Sequence, residues 1–253
     1  MMFRKGGNFV EMADLKDKTV VLTGGGGGIG RAAAELLAQE KMKIILLGGN
    51  NTKNLEETAR IVEQYSLCLV LPGDLTDEGF LCSAVEKAGA FSGGIDVLIN
   101  NAGVAQNTPF EEITLAEYDR IMSINVRVPF LLTQKVLPYL KRSSSGTVVN
   151  IASVVAHAGY PLQSIYTASK HALLGLTKSL AREYYRDDIR VHAICPGGVY
   201  TDMVKLSRPD LTPEGMIQPS EIARIIHFFL ANRGNAVVDE ILVHRVNKEP
   251  FLV

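Results

Sequence analysis

Tyr166 and Lys170 stand four residues apart in Tyr166-Thr167-Ala168-Ser169-Lys170, a spacing that puts both side chains on one face of a helix. A free phenol has a pKa of about 10 and is a poor proton carrier at neutral pH. An ammonium held beside it favours the phenolate and lowers that value, which would make Tyr166 a usable acid or base. Ser153 follows the apolar run Thr147-Val148-Val149-Asn150-Ile151-Ala152, which reads as a buried strand, and a hydroxyl at a strand end can hold a substrate oxygen. Tyr-x-x-x-Lys alone recurs freely on helix surfaces. With the serine and two glycine motifs upstream it reads as a proton-transfer set.

The first of those motifs, Thr23-Gly24-Gly25-Gly26-Gly27-Gly28-Ile29-Gly30, lies between the strand pattern Lys18-Thr19-Val20-Val21-Leu22 and the alanine-rich helix pattern that starts at Arg31. A strand, a glycine turn and a helix start form an anion site. Backbone N–H groups and the positive end of the helix dipole face a pyrophosphate, and missing side chains let it approach. The consecutive glycines blur the register: Gly24, Gly28 and Gly30 fit one spacing, while Gly25, Gly27 and Gly30 fit the ordinary dinucleotide fingerprint. The second motif is Asn100-Asn101-Ala102-Gly103.

These residues need a scaffold, and the apolar pattern supplies one. Strand runs are predicted at 19–23, 43–47, 67–71, 96–100, 147–152, 190–194 and 240–243, and helices at 30–40, 53–65, 77–90, 115–141, 163–185 and 220–230. This alternation predicts an α/β fold of the doubly wound Rossmann type: a parallel sheet of about seven strands with helices on both faces, in a single domain. Ligands then bind at the carboxyl ends of the strands, where Gly24, Asp74, Asn101, Ser153 and Pro196 each follow a strand pattern.

From about Leu15 to the C-terminus the chain resembles the classical short-chain dehydrogenase/reductase family. The resemblance rests on Thr23-Gly24-x-x-x-Gly28-x-Gly30, Asp74, Asn100-Asn101-Ala102-Gly103, Asn125, Ser153, Tyr166, Lys170 and Pro196-Gly197. It implies a redox enzyme in which a nicotinamide cofactor exchanges hydride with a carbonyl or secondary alcohol while Tyr166 moves the proton. Ser153 would steady the substrate oxygen, and Lys170 would hold the ribose and tune Tyr166. Asn125 would hold a water linking Lys170 to solvent. Gly24, Gly28, Ile29 and Gly30 would cradle the pyrophosphate, Asn101, Ala102 and Gly103 would line the adenosine side, and Asp74 and Leu75 would meet the adenine. Pro196, Gly197, Val199 and Thr201 would flank the nicotinamide. The alternative is a catalytically silent NAD(P)-binding regulator of the same fold; the intact Ser, Tyr and Lys favour the enzyme.

Cofactor choice turns on the end of the second strand, Leu47-Gly48-Gly49-Asn50-Asn51, which has neither the carboxylate that selects NAD nor an arginine that selects NADP. Only Asn50 and Lys53 can approach a 2′-phosphate there. The ending Val238-Asp239-Glu240-Ile241-Leu242-Val243-His244-Arg245 resembles NADP-dependent 3-hydroxy acid and serine dehydrogenases, with 3-oxoacyl reductases also similar, which tilts the expectation to NADP over NAD. The substrate is left open among a hydroxy acid, a 3-oxoacyl thioester, a sugar and a steroid. The segment 201–218 is expected to be a short lid, whose Lys205 and Arg208 could meet an anion.

A chain of 253 residues with 47% hydrophobic content suits one large domain at about 15–253, preceded by a flexible extension at 1–14. The net charge of −1 offers no footprint for nucleic acid or an anionic membrane, and the longest apolar runs are too short to span a bilayer, so a cytoplasmic protein is expected. Cys68, Cys82 and Cys195 lack the spacing of a disulfide or zinc framework, and no histidines pair at metal-binding spacing, so no metal is expected. His171 and His192 read as structural or surface residues. His157 lies between Ser153 and Tyr166, where the resemblance places a substrate pocket, although a plain loop histidine is the simpler account. Leu131, Leu132, Leu173, Leu174, Leu176 and Leu180 exceed one buried stripe and point to a homo-oligomer, a dimer or tetramer.

Overall fold

The structure is a computed structural model that describes residues 13–49, 52–202, 204 and 212–249. Most of the N-terminal extension, Asn50 and the lid residues Lys205 and Arg208 lie outside the described residues.

Seven parallel strands form one sheet: β1 (Thr19–Thr23), β2 (Lys43–Leu47), β3 (Cys68–Leu71), β4 (Val97–Asn100), β5 (Thr147–Ile151), β6 (Arg190–Pro196) and β7 (Glu240–Val243). Their order is β3-β2-β1-β4-β5-β6-β7. The chain therefore reverses its direction of travel between β1 and β4, and the crevice at their carboxyl ends is where an open α/β sheet binds its ligand. β1, β4 and β5 are buried along their whole length, as strands covered on both faces must be, whereas the edge strands β3 and β7 are only half-buried.

Two layers of helix cover the sheet. Val20 and Leu22 point to the layer of α1 (Gly28–Gln39), α2 (Thr52–Val62) and α7 (Pro219–Ala231); Val21 points to the layer of α3 (Glu78–Ser92), α5 (Val128–Leu140) and α6 (Ser164–Tyr184). That split is the two-residue period of a strand expressed in packing. Each fully buried Leu or Ile contributes about 1.5–3 kcal/mol. Between the layers a polar ladder ties strands together: Asn100 Nδ2 donates to Asn150 Oδ1 at 2.8 Å, and Asn150 Nδ2 donates to Thr177 Oγ1 at 2.8 Å. These buried side-chain bonds tie β4 to β5 and β5 to α6.

The single helix expected over 115–141 is interrupted. It divides into α4 (Leu115–Met122), a π-helical turn over Ser123–Arg127 and α5, with Val128 N–H donating to the Ser123 carbonyl. Pro129 has no N–H to give the Asn125 carbonyl, so regular α-helical bonding fails at that point. The leucine surplus also needs correction. Leu132, Leu173 and Leu174 are buried in the chain's own core, and Leu131, Leu176 and Leu180 are half-buried.

His192 lies within β6, its ring stacked on Phe229 at 4.3 Å, and its Nδ1 donates to the Val238 carbonyl at 2.7 Å. Burial pushes its pKa down to about 4. An unfolded histidine titrates at about 6.5, so the folded chain binds fewer protons between those values. Its contribution is complete above pH 6.5 or so and is lost as pH falls towards about 4, a change of about 3 kcal/mol. Denaturant midpoints measured from pH 7 to 4.5 should therefore fall more steeply in the native protein than in His192→Phe. Equal slopes would remove His192 from the account.

Candidate active site

At the carboxyl end of β1 the chain turns through Gly24 and Gly28, both in the left-handed region at φ +69° and +51°. A Cβ on Gly30 would lie 2.2 Å from the Gly24 carbonyl oxygen, so only glycine lets α1 start this close to β1. Gly24, Gly28 and Gly30 therefore set the register, whereas Gly27 has room for a side chain. No side chain caps the first turn of α1, which leaves its N–H groups for an anion. Arg31 does not compete for it: its guanidinium donates to the Gly26 and Asn54 carbonyls, Thr58 and Glu57.

The second glycine motif braces this turn from β4. Thr23 Oγ1 accepts from the N–H groups of Asn101 and Ala102, each at 3.0 Å, while Asn101 Nδ2 donates to the Thr23 and Gly24 carbonyls, each at 3.1 Å. Asn101 thus holds the glycine turn against the end of β4.

A cavity of about 1130 Å3 opens along these strand ends. It is lined by Gly24, Gly28, Ile29, Asn101, Ala102 and Gly103 from the cofactor set, by Pro196, Gly197, Val199 and Thr201 beyond β6, and by Ser153, Tyr166 and Lys170. Ser153 closes the N-terminus of a short 3-10 turn, accepting from Val155 N–H at 3.3 Å, and its hydroxyl donates to the Pro196 carbonyl at 3.4 Å. Lys170 is buried on α6; its Nζ donates to the Ile151 carbonyl at 2.8 Å and stands 5.8 Å from the centre of the Tyr166 ring.

Electrostatics here differ from the expectation. Burial pushes the Tyr166 phenol up, and a hydrogen bond with Ser153 opposes this in part. Burial also pulls the Lys170 ammonium down to about 8. The pair starts as a buried phenol and a buried amine, each held towards its neutral form by the loss of water.

Other expected residues are not in the cavity lining. Asp74 is exposed at a turn, where Oδ1 accepts from the N–H and hydroxyl of Thr76, each at 2.8 Å; these bonds hold its carboxyl below the usual range. Leu75 is packed in the core beneath Gly48, whose Cβ would lie 2.5 Å from it. Neither lines the cavity, because the turn after β3 keeps the Asp74 carboxylate for itself and Leu75 for the core. Asn125 is fully buried in the π-helical turn, accepting from Val104 N–H at 2.9 Å and donating to the Val104 carbonyl and Ser169 Oγ, each at 3.0 Å. Its side chain clamps the loop after β4. Lys53 is exposed and outside the cavity lining, while its neighbour Asn54 lines it.

Two contributions were missed from sequence. Gln106 is buried, and its Oε1 accepts from the N–H groups of Ile165 at 2.8 Å and Tyr166 at 3.2 Å, capping the helix that carries Tyr166. The stretch after β7, including His244, Arg245, Asn247 and Lys248, also lines the cavity. Gly197 N–H donates to the Val243 carbonyl at 2.7 Å, which lays that stretch alongside the β6 exit. His157, by contrast, turns away from the cavity to contact Glu240.

The short chain dehydrogenase family model matches residues 18–212. Levodione reductase of Leifsonia aquatica is 38% identical over 186 residues, covering 67% of this chain and 70% of the relative. The 3-oxoacyl-[acyl-carrier-protein] reductase FabG of Thermotoga maritima is 33% identical over 179 residues, covering 67% of this chain and 72% of the relative. Among solved structures, levodione reductase superposes with a TM-score of 0.83 at 35% identity, covering 90% of this chain and 96% of that one. A short chain dehydrogenase from Mycobacterium paratuberculosis bound to NAD also gives 0.83, at 26% identity, covering 92% of this chain and 98% of that one. The chain belongs to the short-chain dehydrogenase family and is an NAD(P)-dependent oxidoreductase of carbonyl and alcohol groups.

Proposed function

We propose that Tyr166 is the general acid and base of this oxidoreductase, with Ser153 and Lys170 as its partners. The observation that carries the reading is that these three side chains, one from the turn after β5 and two from α6, line the same cavity as the glycine turn after β1. The nicotinamide cofactor supplies or accepts the hydride. Gly24 and Gly28 line the cavity on the side that would take its pyrophosphate, Gly30 lies behind them and lets α1 start against the Gly24 carbonyl, and Ile29, Asn101, Ala102 and Gly103 line the adjoining wall. Pro196, Gly197, Val199 and Thr201 flank its reactive ring. In carbonyl reduction the Tyr166 hydroxyl donates its proton to the substrate oxygen while Ser153 donates a hydrogen bond to the same atom. Burial keeps the phenol protonated but makes it a weaker acid, and the Ser153 hydrogen bond and a charged Lys170 act against that rise. Tyr166 is then re-protonated from solvent through the Lys170 ammonium and a water, which would donate a hydrogen bond to the Asn125 carbonyl that Pro129 cannot engage.

The preferred cofactor in this reading is NADP(H). Gly48 and Gly49 present no carboxylate to repel a 2′-phosphate, and Asn50 and Lys53, which follow in the chain, carry hydrogen-bond donors. Fluorescence titration with NADPH and NADH tests the choice. Tighter binding of NADH by about tenfold, some 1.4 kcal/mol, would reverse it.

The relatives' names span levodione and 3-oxoacyl-[acyl-carrier-protein], so they select no substrate. Arg245 favours an anionic one. It lines the cavity half-buried beside Gly198, and its guanidinium donates from Nη1 to the Met216 thioether at 3.3 Å, a weak acceptor. Acetoacetate should then be reduced faster than its methyl ester. Equal rates would remove the anion assignment and leave the oxidoreductase reading intact; the segment 201–218 would close over either substrate.

A cytoplasmic homo-oligomer completes the proposal. Leu115, Tyr118 and Phe130 are exposed on α4 and α5, apolar surface suited to a second copy of the chain. The three unpaired cysteines suit a reducing compartment. A monomeric mass by light scattering at micromolar concentration would defeat the assembly.

A further inference from the structure

His157, Cys195 and Glu240 come from separate segments, the end of the 3-10 turn after Ser153, the exit of β6 and the first residue of β7. One nitrogen, one sulfur and one carboxylate oxygen from these residues all lie within 4.8 Å of one another. Cys195 Sγ is 3.3 Å from Glu240 Oε1, and His157 Nε2 contacts the same oxygen. Two ligands on a tetrahedral zinc, with a sulfur bond of about 2.3 Å and an oxygen bond of about 2.1 Å, stand about 3.6 Å apart. The cysteine and glutamate are already near that separation.

We propose that His157, Cys195 and Glu240 form a three-ligand site for zinc or a similar borderline divalent cation, placed behind the catalytic serine. A mixed nitrogen, sulfur and oxygen set suits zinc better than calcium or magnesium, which take oxygen ligands. Solvent reaches the site because the side chains of His157 and Glu240 are 31% and 23% exposed, so water can complete the tetrahedron. Two cations face the cluster. Lys178 Nζ stands 3.6 Å from Glu240 Oε2, but its side chain is 61% exposed and can swing into water when a metal takes the carboxylate. Lys170 is held on the other side by the Ile151 carbonyl. On binding, the Cys195 S–H bond breaks, the sulfur gives its electron pair to the metal and the proton leaves to solvent.

The location ties this site to the reaction without making it part of the chemistry. Pro196, next along the chain from Cys195, supplies the carbonyl that the Ser153 hydroxyl engages. A metal on Cys195 and His157 would grip the chain on both sides of the Ser153 hydroxyl.

Cobalt(II) is the probe, because a thiolate ligand gives it a near-ultraviolet charge-transfer band. The full chain, freed of metal by a chelator, is titrated with Co2+ and then with Zn2+. The expected result is one cobalt per chain with a thiolate band that zinc abolishes, loss of the band in Cys195→Ser, and at least tenfold weaker binding in His157→Ala. Circular dichroism checks that both variants fold, and should the buried Cys195→Ser fail, the surface His157→Ala variant still decides the matter. No band at saturating cobalt, a band that survives Cys195→Ser, or affinity unchanged by His157→Ala overturns the proposal.

Discussion

Tyr166→Phe lowers turnover by at least about two orders of magnitude, some 2.7 kcal/mol of transition-state stabilisation, while the cofactor dissociation constant changes by less than about threefold. The substitution keeps the ring in its place on α6 and removes only the hydroxyl. Packing around it should survive, since the first turn of α6 is held by Gln106 through backbone N–H groups and not through the phenol. Ser153 loses one partner but keeps its bonds to Val155 N–H and the Pro196 carbonyl. A large loss of turnover with cofactor binding retained would separate proton transfer from folding. Turnover within a few-fold of the native enzyme would exclude Tyr166 as the proton carrier and pass that role to another group in the cavity.

The architecture was legible because buried parallel strands write themselves as continuous apolar runs. Thr19–Thr23, Lys43–Leu47 and Glu240–Val243 fall where their runs place them. Boundaries drifted where a local rule did not reach. β6 runs on to Pro196, because its carboxyl end pairs with Val243 of β7, a partner far along the chain. The break at Asn125 was announced by Pro129, four residues later, but a long apolar helix pattern outweighed it.

The cavity was legible in proportion to how local its parts are. The glycine turn, Tyr166 and Lys170 act through spacings of a few residues, which a sequence displays directly. Gln106 reaches α6 from the loop after β4, and no periodicity marks that contact. Arg245 enters the cavity because β7 ends beside the exit of β6. His157 was placed by its position between Ser153 and Tyr166, yet its ring faces the start of β7, a direction set by the fold alone. The six leucines divide between the monomer's core and its half-buried surface. Their number suggested a surplus, but α6 lies against the sheet, α4 and the π-helical turn, and Leu173 and Leu174 are buried within the monomer.

Lys170→Ala produces two separable defects, one in affinity and one in pH response. In the proposed mechanism Lys170 holds the cofactor ribose and places a cation near Tyr166, so its loss should raise the cofactor dissociation constant at least about tenfold and move the pH profile of turnover upward. The native enzyme adds a third signature. Burial sets Lys170 at about 8, so its ammonium is complete below that pH and disappears above it, and cofactor affinity should weaken as pH rises through that value. Lys170→Ala should bind more weakly and show no such step. The variant also leaves the Ile151 carbonyl without its donor and opens a buried hole, so its folded fraction is checked first by circular dichroism. Lys170→Met fills most of that hole without restoring the charge, and it should keep both defects if they are electrostatic. A cofactor dissociation constant and a pH profile that match the native enzyme in Lys170→Met would refute both roles.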